Sequence, residues 1–205
     1  STATLLSQMF MEQFNMSQGW KKGAASIILP PDKVPMADKR RVAYFRGQRN
    51  TPAAGACQDI AANNARDYLV KNQEKDFLDA KFSTIDGSRT DEMYENRPYT
   101  DNYNHAILPV VDLSCRASNR LIQYMTTKSV VALLGEKKFQ RAFFPIQAAL
   151  EDGTNAVICG QEPLEKLRAV LSPAVTTVQL EKMSLNANKL ADWALSDEGI
   201  ICYLL

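Results

Sequence analysis

The stretch NAVICGQEPLEKLRAVLSPAVTTVQLEKMSLNANKLADWALSDEGIICYLL, residues 155–205, decides the fold class. Its first five residues are suited to a strand, and Pro163 then occupies a typical first helical position. Residues 174–180 are again rich in β-favouring side chains, Ser184 is a suitable helix cap, and residues 199–205 are apolar. This order predicts a C-terminal β-α-β-α-β unit. The side chains predicted to face its core are Leu164, Leu167, Leu171, Leu190 and Trp193.

The preceding sequence alternates between strand and helix patterns in the same way. Residues 41–45 and 106–111 are predicted strands, and Pro109 places the second strand at an edge or at a bulge. A long helix is predicted from residue 57, continuing toward Phe82. With 45% hydrophobic residues, the 205-residue chain supplies enough apolar surface for one core. The expected fold is therefore α/β or α+β, a single mixed domain over residues 1–205 with a sheet covered by helices.

Composition excludes several functional classes. The chain carries 24 Lys and Arg against 23 Asp and Glu, so its net charge of +1 gives no general attraction to nucleic acid or anionic membrane. No apolar run approaches the roughly 20 residues of a membrane span. The four cysteines are widely spaced among apolar neighbours, which is typical of reduced thiols in the cytoplasm. Metal-ligand and nucleotide-binding spacings are absent from the sequence, so neither a metal nor a cofactor is expected.

Three segments are suited to contacts with a partner. An amphipathic helix is predicted over residues 4–16, and its apolar stripe is expected to bury against the domain or a partner. A long irregular segment, residues 83–104, combines tyrosines with acidic residues, and a basic segment lies between residues 33 and 49. Tyrosine and arginine are common anchors of protein interfaces. The candidate partner-binding residues are Leu6, Phe10 and Phe14 of the helix, Arg40, Arg41 and Arg46 of the basic segment, and Asp91, Glu92, Tyr94, Glu95, Tyr99 and Tyr103 of the irregular segment.

Two alternatives remain open beside protein binding. In the first, the chain is a small cytosolic α/β enzyme in which His105 acts as base, Asp112 orients it, and Ser114 or Cys115 is the nucleophile. In the second, the chain binds nucleic acid through residues 39–49, where basic side chains alternate with Tyr44 and Phe45. A glycine-containing turn at residues 160–163 precedes a predicted helix, but Glu162 and the missing phosphate motif argue against phosphate binding there.

The leading hypothesis is a non-catalytic interaction protein. The sequence contains no cluster of titratable residues typical of catalysis, whereas aromatic and charged residues gather in a long irregular segment. The expected role is an adaptor or a self-assembling structural subunit of a larger complex. Its expected partners are other protein subunits or further copies of the same chain.

Overall fold

The computed structural model describes residues 31–48, 60–83, 92–111, 119–134 and 149–194. Five strands are present in these ranges: β1 (Arg40–Gln48), β2 (Leu78–Ser83), β3 (His105–Val110), β4 (Val130–Leu133) and β5 (Val157–Ile158). Four α-helices accompany them: α1 (Ile60–Lys71), α2 (Asn119–Met125), α3 (Pro163–Leu171) and α4 (Thr177–Ala194). Short 3-10 helices, Met36–Asp38 and Tyr99–Asn104, precede β1 and β3.

The five strands form one parallel sheet in the order β2-β1-β3-β4-β5. The chain moves from β1 outward to β2, returns to β3 on the other side of β1, and then continues outward to β5. The direction of strand addition therefore reverses between β1 and β3, as in doubly wound folds. The prediction of a mixed α/β fold is confirmed.

Apolar side chains pack on both faces of the sheet. One core cluster includes Phe45, Leu69 and Leu78, and the other includes Leu108, Leu133 and Tyr124. Every residue of β3 is buried, including Pro109, and every residue of β4 is buried as well. Burial on both faces is typical of the central strands of a parallel sheet.

The predicted C-terminal β-α-β-α-β unit is wrong at its middle strand. Residues 177–194 form one continuous helix, α4, so no strand exists over residues 177–180. The Thr176 hydroxyl accepts a hydrogen bond from the Gln179 N–H at 3.2 Å, and the Gln179 side chain accepts one from the Thr176 N–H at 2.7 Å. These reciprocal bonds form a capping box, which begins the helix despite its β-branched residues. Ser184 is not a cap, because it lies within α4 and donates to the Glu181 carbonyl.

Two other sequence expectations are also corrected. The helix that was predicted to continue toward Phe82 ends at Lys71, and residues 78–83 form β2. Burial alternates along β2, since Leu78, Ala80 and Phe82 are buried between half-buried residues, which is the two-residue period of a strand. Pro109 lies in a central strand, between β1 and β4. The β1–β3 ladder shifts register between its paired positions, Arg40 with His105 and Ala43 with Ile107, so an irregularity does precede the proline.

The predicted core residues of the C-terminal region have mixed outcomes. Leu167 is fully buried, and Leu164, Leu171 and Leu190 pack against the two core clusters. Trp193 was expected to face the core, but it is 44% exposed because it lies near the end of α4. The predicted N-terminal helix and the predicted strand at residues 199–205 lie outside the described residues.

Candidate functional site

His105 is a buried residue at the start of β3. Its ring stacks on Tyr44, with ring centroids 4.0 Å apart and planes 7° from parallel. The Nδ1 atom lies 2.9 Å from the carbonyl oxygen of Asp101. A carbonyl only accepts hydrogen bonds, so Nδ1 carries the proton and neutral Nε2 is an acceptor. Burial lowers the pKa of His105, which favours this neutral form.

The proposed catalytic partners of His105 lie outside the described residues. These partners are Asp112, Ser114 and Cys115, which follow the carboxyl end of β3 in the sequence. His105 occupies the opposite, amino end of this strand, about 16 Å from Val110 at the strand rise of about 3.3 Å per residue. The neighbours that the structure gives to His105 are Tyr44 and the Asp101 carbonyl instead.

The basic segment is used largely within the domain. Lys39 is buried and forms an ion pair with Asp32 at 2.9 Å. Arg41 donates to the carbonyls of Ser172 and Val175, at 2.9 and 2.8 Å, and so satisfies groups at the end of α3. Arg46 forms ion pairs with two carboxylates, whereas Arg40 is exposed. Tyr44 and Phe45, the aromatic residues of the nucleic-acid hypothesis, are buried, and Arg49 lies outside the described residues.

The Lys39–Asp32 pair fastens three parts of the chain together. Lys39 Nζ donates to the Tyr103 carbonyl at 2.5 Å as well as to Asp32. The Asp32 carboxylate accepts two further hydrogen bonds, from the backbone N–H groups of Val34 and Lys128. Burial lowers the pKa of Lys39, although the bond to Asp32 opposes that shift. The pair therefore tolerates burial because its polar atoms have partners on several sides.

The tyrosines of the irregular segment pack against the same chain. Tyr94 is buried on Phe82, with centroids 5.4 Å apart, and its backbone neighbours bond to Phe82 along the edge strand β2. Tyr103 is also buried, and half-buried Tyr99 contacts both Tyr103 and Tyr124 at 6.2 Å. Among the acidic candidates, Glu92 is exposed, Glu95 is half-buried, and Asp91 lies outside the described residues.

Between this segment and the sheet lies a cavity of about 730 Å³, which we call the sheet-face cavity. Its walls come from β1, β2, the turn before β2 and the irregular segment. Arg46 is the centre of the charged wall: it pairs with Asp79 at 2.8 Å and with Glu95, and its guanidinium lies over the Tyr44 ring at 4.4 Å. Arg97 also binds Glu95. Burial raises the pKa of Glu95, but the bonds from both arginines outweigh it, so the net shift is downward.

A second cationic region lies where β1 ends. The Arg120 guanidinium, at the start of α2, lies over the Phe45 ring at 5.6 Å. A Cβ added at Gly47 would come within 2.8 Å of Arg120 Nη1 and 2.6 Å of Phe45 Cζ. The glycine therefore lets the guanidinium approach the backbone of β1. We call Phe45, Gly47 and Arg120 the Gly47–Arg120 crevice.

Sequence reasoning missed both regions. A glycine inside a strand is a signal for close approach of another group, but the predicted strand ended at Phe45 and left Gly47 outside it. Nothing in the sequence indicated that Arg120 meets Gly47, because the two are separated by more than 70 positions and meet only through the strand order. The lysines of the sheet-face cavity, Lys75 and Lys81, lie in a segment that was predicted to be helical.

The outward face of α4 is the third surface of interest. Val178, Leu185 and Trp193 are 72%, 50% and 44% exposed. At 100° per residue these positions fall within about 80° of one another around the helix. Charged residues on the same face separate them, including Lys182 and Lys189. The opposite face packs on the sheet through Ala187 and Ala191.

The described residues contain neither a metal site nor a helix suited to a membrane. Within residues 31–48, 60–83, 92–111, 119–134 and 149–194, His, Cys, Asp and Glu form no group of three suited to a metal ion. In those same ranges no helix has the length and apolar character needed to cross a membrane. Burial raises the pKa of the Cys159 thiol to about 12, and the other three cysteines lie outside the described residues.

Comparison with known proteins identifies no family. The chain matches no protein-family model and no curated protein. Among solved structures it is similar to one titled "Crystal Structure of TarM", with a TM-score of 0.48 and 11% sequence identity. The similarity covers 81% of this chain and 34% of that one, so the chain spans about a third of that structure's length.

Proposed function

We propose that this domain binds a small ligand through a phosphate or similar anionic group, in the Gly47–Arg120 crevice. The single observation that carries the proposal is the position of the Arg120 guanidinium at the carboxyl end of β1. In parallel sheets wound in both directions, ligands bind outside the carboxyl ends of the strands where the direction of addition reverses. Here that point lies between β1 and β3.

The side chains of the crevice support the proposal of an anion-binding site more specifically than the strand order does. Fold alone does not imply function, so the proposal depends on the side chain that is present. A guanidinium offers several N–H donors in a plane that matches the oxygens of phosphate or carboxylate. The Phe45 ring and the bare backbone of Gly47 limit where this guanidinium can lie. A positioned cation costs less conformational entropy on binding than a mobile one.

Calorimetric titration with inorganic pyrophosphate tests the proposal. We expect the wild-type protein to bind, and we expect Arg120→Ala to weaken the affinity by at least about tenfold, as for loss of a charged hydrogen bond. Arg120→Lys keeps the charge without the planar fork and should give an intermediate affinity. The matched control is Arg168→Ala, which removes an exposed arginine that pairs with Glu74 on another part of the surface. Equal affinities of Arg120→Ala and Arg168→Ala would overturn the proposal.

Association with another protein is a second candidate function, favoured by the exposed apolar residues of α4. Large apolar side chains that share one exposed helix face are typical of surfaces that contact a partner. An adaptor or a self-assembling subunit, the role predicted from the sequence, would use such a face, although the sequence placed the partner contacts in other segments. Light scattering on the wild-type protein and on Leu185→Glu tests self-association: a larger wild-type mass that falls in the variant supports it. A monomeric wild type restricts the candidate to a different protein.

A further inference from the structure

The sheet-face cavity has an imbalance of charge that the proposed function does not use. Five cationic and three carboxylate side chains contribute to its walls. Each carboxylate has an arginine partner: Asp79 pairs with Arg46, Glu95 with Arg46 and Arg97, and Asp101 with Arg97 at 4.0 Å. Two of the cations, Arg46 and Arg97, are therefore already engaged with the three carboxylates, and the five cations leave the walls with a net charge of +2.

The other three cationic side chains of the walls are Arg40, Lys75 and Lys81. They form no ion pair in the portions of the chain that the structure describes. Arg40 lies at the start of β1, Lys75 precedes β2, and Lys81 lies within β2. Three positive charges around one concave space raise the local concentration of anions.

Two buried polar atoms of the walls provide an independent observation. Tyr44 and His105 both line the cavity and are 3% and 4% exposed. The Tyr44 hydroxyl and His105 Nε2 are buried, and neither has a hydrogen-bond partner among the residues that the structure describes. A polar atom in this condition costs free energy that a bound group can recover. The hydroxyl can donate to an anion, and neutral Nε2 can accept from a hydroxyl group.

We infer that the sheet-face cavity is a binding site for a small organic anion, a phosphate or carboxylate. Arg40, Lys75 and Lys81 supply the positive charge, and the Tyr44–His105 stack supplies the polar wall. The site is separate from the Gly47–Arg120 crevice, because its wall residues Tyr44 and Arg46 alternate along β1 with Phe45 and Gly47 and so lie on the opposite face of the strand.

The chain contains a single histidine, which gives the cavity its own reporter. We would follow the Cε1–H resonance of His105 by NMR while adding inorganic phosphate, and in a second titration citrate. The background is Arg120→Ala, so that the crevice proposed above does not contribute. We expect at least one of the two anions to shift this resonance to saturation. An anion nearby also favours the charged imidazole, so the pKa of His105 should rise when the site is filled.

Two double variants decide whether the shift comes from the cavity. Lys75→Ala with Lys81→Ala should weaken the affinity at least about tenfold, because both charges are lost from the walls. Lys182→Ala with Lys189→Ala removes the same charge from the exposed face of α4 and should leave the affinity unchanged. The proposal is overturned if neither anion gives a saturable shift, or if the two double variants bind equally. Lys81 is half-buried whereas the other three lysines are exposed, so far-ultraviolet circular dichroism before each titration confirms that the variants are folded.

Discussion

The Gly47–Arg120 crevice and the sheet-face cavity are both cationic, but they are built in different ways. In the crevice, the order of the strands brings one guanidinium against a glycine at the end of β1. In the cavity, a network of ion pairs and buried aromatic rings also holds the irregular segment on the sheet. The comparison teaches that the charged side chains of the cavity also hold the irregular segment in place, whereas the position of Arg120 depends on the strand order and on the missing side chain of Gly47.

The largest effect is expected from the tyrosines of the irregular segment. Replacing Tyr94, Tyr99 and Tyr103 together with Ala removes two buried rings and one half-buried ring. Each buried aromatic contributes about 3–5 kcal/mol, and a whole domain is stable by about 5–15 kcal/mol. We expect the triple variant to be largely unfolded by circular dichroism.

The control for that variant is Tyr68→Ala, which alters a ring that is 40% exposed on α1. Its effect on the free energy of unfolding should be below about 1 kcal/mol. A triple variant with wild-type stability and lost association would show instead that these tyrosines serve a partner, as the sequence-based hypothesis had it.

The next largest effect concerns the ion pair that fastens the amino end of β1. Asp32→Asn leaves the Lys39 ammonium buried without its counter-charge. Breaking a buried pair on one side costs about 3–5 kcal/mol, which urea denaturation measures directly. Asp38→Asn alters an exposed carboxylate nearby and serves as the control. If both variants unfold at the same urea concentration, the pair does not stabilise the domain.

A substitution in the crevice should have a smaller effect on stability and a clear effect on binding. In Gly47→Ala the new Cβ would lie 2.6 Å from Phe45 Cζ and 2.8 Å from Arg120 Nη1. Both contacts are too short, so the buried Phe45 ring and the Arg120 guanidinium must both move, at a cost of about 1–3 kcal/mol for overpacking. We expect weaker binding of pyrophosphate together with this moderate destabilisation. Unchanged affinity would mean that the position of the guanidinium does not matter for the ligand.

The smallest predicted effect is a dependence of stability on pH that arises from His105. Burial lowers the pKa of His105 in the folded state below its usual value of 6.5. The folded state then binds fewer protons than the unfolded state, so the stability present above pH 6.5 is lost as the pH falls through the folded pKa. His105→Gln should show a shallower decline in the free energy of unfolding below pH 6.5. Identical pH profiles of variant and wild type would contradict this prediction.

Part of the fold was predictable from local patterns, and the failures have identifiable physical causes. The strand at β1 was predicted from its β-favouring residues. The helix after Pro163 was predicted because the proline and the spacing of the leucines both indicate a helix there. The strand predicted at residues 174–180 failed because the capping box of Thr176 and Gln179 outweighed β-branched composition. Apolar and polar residues alternate in the LDAKFS sequence of β2, which is typical of a strand. The segment was nevertheless predicted as a continuation of the helix before it.

Neither binding region was predictable to the same extent. The residues of the cavity are far apart in the sequence. Arg40 and His105, for example, come together only through the parallel pairing of β1 with β3. Charge counting along the sequence also could not show which basic residues bond within the domain. Lys39, Arg41 and Arg46 do so.

A crystal structure of the protein with bound pyrophosphate tests the central claim most directly. We predict pyrophosphate oxygens about 2.7–2.9 Å from the Arg120 guanidinium nitrogens, at the carboxyl end of β1 and beside Gly47. Pyrophosphate found only elsewhere, with the Arg120 guanidinium making no contact to it, would contradict the assignment of the Gly47–Arg120 crevice as the ligand site.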